Sequence, residues 1–502
     1  MLRIISTILL ASVLTLSLRA ADAPLPVHRP RIPAEKTAGT PLRRQQCRTE
    51  AQPLASRGLL ILAEFSDVRF VSGNAHHAFD SLANSTGYRY NNAPGSAREY
   101  FRDQSDGQYV PQFDVVGPVT LPHTMAYYGK DSIAEGYDRY LADFIIDACL
   151  AAKDSADWTR YDNDNDNIID FVFVLYAGYG QADSGIEETL WPCNWDVVST
   201  LYSGLTNQTT YYARYDNTGN LRYNLPVIDG KILNEYACAN EWNYLTRQRG
   251  GIGTFVHEFS HVLGLPDYYT TGALGTQTPG TWSLMASGNY NDQGRTPPAY
   301  STHDRYFLGW TTPTLLNTPR QVSLPGDGSA CYMVTRNGMQ PQQSARTNDT
   351  IYYIENRPCE GWDTYLPGNG MLIWRVVYDD EAWQSGLPND QSLRYSVVSA
   401  SGRNAYTANT LGGARQDVPF PGSEDVSAIS LFPDAHLQDI TQHADGSITF
   451  SFQTQATPTA QQATAEDDNA RDTRYYNILG QEVDPATYRG IVVQGGRKYI
   501  LW

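Results

Sequence analysis

Basic residues are in short supply: 37 lysines and arginines stand against 54 aspartates and glutamates, a formal charge of −17. That deficit excludes nucleic acid as a partner, because phosphate binding needs a clustered positive field. The acidic balance favours solubility and names no substrate. Long apolar runs are missing after the first twenty or so residues, so no later segment reaches the ~20 residues of a membrane-spanning helix. Only six cysteines occur. None stands at CxxC spacing, which removes a thiolate zinc site. There is no internal repeat.

What is present is enough for more than one core. At 502 residues, with 41% hydrophobic and 12% aromatic content, two or more folded units are expected and wholesale disorder is excluded. The 34 tyrosines suit β-rich architecture. At the start, Arg3 precedes an apolar run at 4–18, followed by Ala20, Ala21 and Ala23. This charged, apolar, small-residue order is that of a secretory signal over 1–21, and it directs the chain to secretion or the cell surface. A membrane anchor is the alternative, but the run is short and diluted by Ser and Thr. In an exported chain the cysteines Cys47, Cys149, Cys193, Cys238, Cys331 and Cys359 can form disulfides. Cys193 with Cys238, and Cys331 with Cys359, are pairs close enough in sequence to consider.

A Pro/Arg-rich stretch at 22–57 reads as a short pro-segment or leader. GLLILAEF at 58–65 is a continuous apolar strand of the kind buried on both faces. Residues 97–101 form a short helix, and Tyr140, Phe144, Ile145 and Ala148 give 138–152 helical spacing. Residues 168–177 are a second buried strand, and 251–265 a helix. Strand, helix, strand, helix argues an α/β unit over 58–312. From there the texture becomes short β runs between turns, such as IYYI at 351–354, GMLIW at 370–374 and SITFSF at 447–452. A β-sandwich over 313–455 accounts for these. A linker at 456–472 precedes a β-rich tail at 473–502.

The chemistry centres on HEFSH at 257–261. His257 and His261, four apart, project from one face of a helix and can share a zinc ion with Zn–N distances near ~2.0–2.1 Å. Glu258 is placed to take a proton from zinc-bound water rather than to ligate. Gly264, three residues on, supplies the left-handed residue at which a helix stops and turns back. Asp267 follows three residues later, and Trp282-Ser-Leu-Met-Ala-Ser-Gly288 brings in Met285.

The frame HExxHxxGxxD resembles that of metzincin-like peptidases, with aspartate for the usual third histidine and Met285 where that clan places its Met-turn. The longer run HEFSHVLGLPDYY at 257–269 resembles the immune-inhibitor-A-like family of secreted metallopeptidases. LAEFSD at 62–67, YDNDNDNIID at 161–170, LGW at 308–310, YIENR at 353–357, GWD at 361–363 and LPG at 366–368 match the family in the same order. The resemblance runs over roughly 58–455. It implies a zincin catalytic domain (α+β or α/β, metzincin-like) followed by a β-sandwich domain, and the short β-rich C-terminal tail lies beyond its range. It also implies zinc as cofactor, held by His257, His261 and Asp267, with protein or peptide substrates and Glu258 as catalytic base and acid. The expected activity is that of a secreted zinc-dependent endopeptidase. The alternatives are an inactive peptidase scaffold used for surface binding, against which the intact Glu258 speaks, and a zinc amidase acting on cell-wall peptide.

Other features carry paired readings. Asp162, Asp164, Asp166 and Asp170 alternate with asparagines, as in an oxygen-rich calcium loop. The EF-hand frame is not met, since Asn167 and Phe173 stand where Gly and Glu belong, and a plain Asp/Asn turn is the alternative. His303 reads as structural or substrate-contacting, His76 and His77 as surface, and Tyr268 and Tyr269 as packing, with an approach to the oxyanion as the alternative. Cys47 is a candidate latency thiolate in a zymogen, with a disulfide to Cys149 or a free thiol as alternatives. YNILGQEV at 476–483 with YRGIVVQG at 488–495 resembles the C-terminal sorting segments of Gram-negative secreted proteins, a route to secretion machinery. A terminal β-hairpin packed on the sandwich is the other reading.

Overall fold

A computed structural model describes residues 56–501 apart from 133–136, 271–278, 342–348, 403–417, 455–474, 478–480, 486 and 495–496. The expected signal at 1–21, nearly all of the leader with Cys47, and the linker at 456–472 lie outside the described residues. Among the described residues, no helix is long and apolar enough to cross a membrane.

Strand β1 (Arg57–Glu64) forms the spine of the first unit. Its uninterrupted Leu59–Ala63 interior is buried because both of its edges and both of its faces are covered. Helices α1 (Ala75–Asn84) and α2 (Ala97–Gln104) follow, and α2 opens on a reciprocal capping box between Ser96 and Glu99. Strand β2 (Gln112–Thr120) pairs parallel with β1, α3 spans Leu141–Ala151, and β3 (Val172–Tyr179) pairs parallel with the other edge of β1. Strand β4 (Cys193–Asp196) and β5 (Glu235–Asn243) are antiparallel partners, and β5 runs parallel to β3. The short strand β6 (Gln248–Arg249) folds back on β5 and leads into α4 (Gly253–Val262), with α5 (Thr302–Phe307) beyond it. The sheet order is β6-β5-β3-β1-β2, with β4 also on β5.

Alternation along β1 sorts the two faces. Leu60 and Leu62 pack with α1, α2 and α4, through Phe79, Phe101 and Phe259. Leu59, Ile61 and Ala63 pack with α3, through Phe144 and Ile145. The helix expected over 138–152 starts only at Leu141, because the carboxylate of Asp138 is turned to accept from the Trp191 amide. The strand expected over 168–177 starts at Val172, after Asp170 has turned to the side chain and amide of Asn163.

The later residues form two further sheets. One has the order β7 (Thr314–Leu315), β9 (Cys331–Thr335), β10 (Thr350–Arg357), β11 (Gly370–Val377), β12 (Tyr395–Val398). The other has β8 (Arg320–Leu324), β15 (Ile448–Gln453), β14 (Ala435–Gln442), β13 (Ile429–Phe432). Val334, Ile354 and Ile373 from the first share a core with Leu324, Leu437 and Phe450 from the second. The opposite face of the first sheet, with Met333, Tyr353, Trp374 and Tyr395, joins the core of the first unit through Trp282, Met285 and Tyr300. The tail forms β16 (Tyr475–Asn477), β17 (Glu482–Val483), β18 (Gly490–Gln494) and β19 (Arg497–Leu501), a small antiparallel sheet whose Ile491 packs against the two-sheet core.

The cysteines differ from one another. Cys193 and Cys238 are direct cross-strand partners with sulfurs 3.8 Å apart. Cys331 and Cys359 do not face each other: the first lies by the Thr311 hydroxyl, while the thiol of the second donates to the Gly368 carbonyl at 2.9 Å. Cys149 is a buried thiol on α3, its pKa pushed up by burial.

A buried ionic cluster joins the later sheet to the segment before α5. Arg357 donates to Asp363 at 2.6 Å and to Glu355 at 3.0 Å. Glu355 accepts from the amide and hydroxyl of Thr302 at 2.7 and 2.6 Å, and Asp363 from the Ala299 amide at 2.9 Å. Burial alone would lower the Arg357 pKa, but the two carboxylates outweigh it and hold the guanidinium charged. Removing one member strands the others away from water, so Arg357→Met is expected to cost about 3–5 kcal/mol. Chemical denaturation of the full chain measures it, and a loss below about 1 kcal/mol would show that the cluster contributes little beyond an exposed pair.

Candidate metal centre

Helix α4 begins where two stretches of backbone nearly touch. A Cβ on Gly253 would lie 1.9 Å from the Asn289 carbonyl oxygen, so only glycine lets the 287–294 segment lie against the helix start. His257 and His261 then project from one face a turn apart, with ring centroids 5.0 Å from each other. His257, Glu258, His261 and Asp267 are all buried, none more than 2% exposed.

A backbone carbonyl orients each imidazole. Nδ1–H of His257 donates to Leu284 and Nδ1–H of His261 donates to Leu265, both at 2.8 Å. With one proton fixed on Nδ1, Nε2 is the nitrogen each ring turns toward Asp267, and this is the orientation that ligating histidines adopt.

After α4 the chain reverses. Gly264 takes φ +96, its amide donates to His261 O at 2.9 Å, and the Leu265 amide donates to Ser260 O at 3.1 Å. This left-handed ending returns Asp267 to the histidines. Asp267 Oδ1 lies 3.1 Å from His257 Nε2 and 3.5 Å from His261 Nε2. A tetrahedral site with bonds of about 2.05 Å has edges of about 3.3 Å between ligand atoms, so these spacings suit a metal such as zinc. Electrostatics agrees. Burial works against a charged His257, but the Asp267 hydrogen bond and the charges of Glu258 and Asp267 prevail and hold its pKa at about 9. A field that retains a proton there will also attract a cation.

Glu258 is near but not part of the triad: its Oε2 is 3.8 Å from His261 Nε2, and the possible metal group comprises His257, His261 and Asp267. Met285 is fully buried in a turn secured on two sides, by the Leu284 carbonyl on His257 and by its own carbonyl on the Tyr268 amide at 2.7 Å. His303 stands apart, 3.2 Å from Asp304 Oδ1 and ringed by Tyr353, Trp383 and Tyr395.

Several contributors escape a reading of the sequence. The Tyr269 hydroxyl donates to Asp267 Oδ2 at 3.0 Å, leaving Oδ1 toward the imidazoles. Tyr268 stacks on Tyr395 with centroids 3.6 Å apart and donates to Asp304. Both tyrosines therefore do more than pack. The Asp267 amide donates to Gly386 O at 3.0 Å, and the Asn389 side chain donates to Tyr268 O at 2.8 Å. No local pattern signals contacts across more than a hundred residues.

At the acidic turn, Asp162, Asp164 and Asp166 bring carboxylate oxygens within 4.8 Å of one another. Asp170 is outside that group, committed to Asn163. Lys231 donates to Asp162 at 2.7 Å and supplies positive charge there.

Residues 70–311 match the catalytic domain of immune inhibitor A, peptidase M6. The chain is 26% identical over 264 residues to immune inhibitor A of Bacillus thuringiensis subsp. alesti, covering 47% of this chain and 35% of that protein. It is 26% identical over 258 residues to the pre-pro-metalloprotease PrtV of Vibrio cholerae serotype O1, covering 46% of this chain and 26% of that one. The matched part thus spans well under two thirds of either relative.

Because Tyr269 orients the carboxylate, Tyr269→Phe is expected to weaken metal retention about 10- to 100-fold, and Asp267→Ala to weaken it further. Titration with a competing chelator gives both values. A half-point unmoved by Asp267→Ala would place the third ligand elsewhere.

Proposed function

We propose that this chain, which carries an immune inhibitor A peptidase M6 catalytic domain at residues 70–311, is a secreted zinc-dependent endopeptidase acting on protein or peptide substrates. The observation that carries the reading is the convergence of His257 Nε2, His261 Nε2 and Asp267 Oδ1. On this reading the three hold zinc, the fold around them is a metzincin-like zincin, and residues 313–455 form a β-sandwich whose two sheets share one core.

Bound zinc supplies Lewis acidity toward a water molecule and the substrate carbonyl. The remaining work falls to the chain. Glu258 accepts the proton of the attacking water and passes it to the departing amine. Its place one residue after His257 keeps its carboxylate beside the ligand atoms, at 3.8 Å from His261 Nε2, without joining them. Leu284 and Leu265 hold the imidazole tautomers, and burial of the whole group excludes bulk water from the proton path. Export follows from the apolar run at 4–18 after Arg3, with the tail at 473–502 as the segment offered to secretion machinery.

Glu258→Ala should keep its metal and lose about 100- to 10,000-fold in peptide cleavage, the usual contribution of a positioned acid–base group. Metal analysis beside a peptide-library digest tests this. Equal cleavage by the variant, or no internal cuts by any processed form of the parent, would remove the assignment.

The acidic turn belongs to the proposal as a calcium site built by Asp162, Asp164 and Asp166, with calcium competing against Lys231. Saturating calcium is then expected to raise Tm by about 2–4 °C over a chelator-treated control. An identical Tm would leave Lys231 as the turn's counter-charge.

A further inference from the structure

A cavity of about 580 Å³ opens beside α4. That is within the usual range of ligand pockets. Its floor is apolar, with Leu60, Phe79, Leu175 and Phe255 among the lining residues. Thr254 also lines it. Being three residues before His257 and four before Glu258, Thr254 shares the helix face that bears the metal ligands. Thr254 thus brings one end of the cavity to the helix face that carries the proposed catalytic group, one turn before it, while His257, Glu258, His261 and Asp267 are not among its lining residues.

Tyr290 links the two places. It lines the cavity, and its hydroxyl is pushed up by burial and then by the charge of Glu258, with Asp183 and Asp267 adding to it. The hydroxyl of a cavity-lining ring thus feels the charges of Glu258, of Asp267 and of Asp183 in the cavity wall.

That carboxylate is the unusual feature. Asp183 Oδ2 accepts from the Tyr244 amide at 2.6 Å, while Oδ1 is buried without a hydrogen-bond partner. Among the described residues no lysine or arginine forms an ion pair with Asp183. The neighbouring Glu241, by contrast, is fully used by the backbone amides of Val71, Ser72 and Gly178. A buried carboxylate oxygen with no partner is costly unless something brings it a donor.

We infer that this cavity takes a substrate side chain next to the scissile bond and selects lysine or arginine, with Asp183 receiving the cationic head. The apolar floor suits the methylene stem of such a side chain, and Asp183 Oδ1 suits its terminal N–H groups. A leucine or phenylalanine would fill the floor and leave Asp183 unanswered. An acidic side chain would be repelled. The inference rests on the peptidase reading for the position of the scissile bond, and on the cavity itself for the choice of side chain.

The test has two arms. In the first, the full chain digests a mixed peptide library, and so does Asp183→Asn, which keeps an acceptor for the Tyr244 amide. The parent is expected to cut beside lysine and arginine in preference to leucine. The ratio of kcat/KM for Lys against Leu peptides should fall about 10- to 100-fold in Asp183→Asn, the scale on which a pocket contact discriminates. In the second arm, Glu258→Ala protein is titrated calorimetrically with alanine-based peptides carrying one central Lys, Leu or Glu. The Lys peptide should bind tightest, and adding Asp183→Asn should remove its advantage. Cleavage with no basic preference, or a preference that survives Asp183→Asn, would overturn the pocket assignment and leave the peptidase intact. Lys-selective binding that needs Asp183, in a parent that cuts nothing, would support the pocket and count against the peptidase. A parent preference for leucine or glutamate overturns the inference even if the Asp183 variant fails to fold.

Discussion

The Nδ1–H groups of His257 and His261 are held by the Leu284 and Leu265 carbonyls, and the arrangement of the site follows from those two bonds. They fix each ring's rotation, so that both Nε2 atoms face the returning carboxylate of Asp267. Each carbonyl is itself anchored. Leu265 lies in the turn that Gly264 makes possible. Leu284 lies in the turn before Met285, whose carbonyl is held by the Tyr268 amide. Helix, reversal and methionine turn are therefore one connected set of hydrogen bonds, and the positions of His257, His261 and Asp267 are its consequence.

That set extends into the later part of the chain. The loop bearing Asp267 is hydrogen-bonded to Gly386 and Asn389, and Tyr268 is stacked on Tyr395. Asn389 is 1% exposed and accepts from the Arg394 and Tyr395 amides while it donates to Tyr268 O and Tyr395 O. The sheet β7-β9-β10-β11-β12 thus has one face in a core with its companion sheet and the other in the core that includes α4. A boundary at residue 312 separates two textures of sequence, but the packing crosses it.

Local periodicity explains what could be read in advance. His257, Glu258 and His261 share a helix face by spacing alone, and Gly264 announced its own left-handed turn. Strands β1 and β3 were legible because both faces are buried and their apolar runs are unbroken. Strand β5 was not: Asn240 and Glu241 interrupt it, and Glu241 is fully buried with the amides of Val71 and Ser72, from a distant loop, and of Gly178, on the adjacent β3, donating to it. Tyr269 was read as packing, since nothing in its spacing says that a reversal will aim its hydroxyl at Asp267. The motif at 353–363 was recognisable as a resemblance, but its physical role became apparent only with Glu355, Arg357 and Asp363 gathered beneath Ala299 and Thr302.

Buried charge is handled in two ways in this molecule, and the contrast separates scaffold from site. Each buried ion costs several kcal/mol unless it is repaid by partners. In the cluster around Arg357, the cation, both carboxylates and the neighbouring amides answer one another within the protein, so the group is complete and serves to fasten the later sheet to the start of α5. Around His257 the balance is different. Two carboxylates, Glu258 and Asp267, lie next to two imidazoles whose outer nitrogens are already committed to carbonyls, and the result is a field strong enough to hold the His257 pKa at about 9. A proton can relieve that field, as can a divalent cation, but no lysine or arginine is brought close enough to do so among the described residues. The scaffold cluster carries its counter-charge within the fold, whereas the proposed metal centre would take it from solution, so that cation binding there would add to the stability of the folded chain.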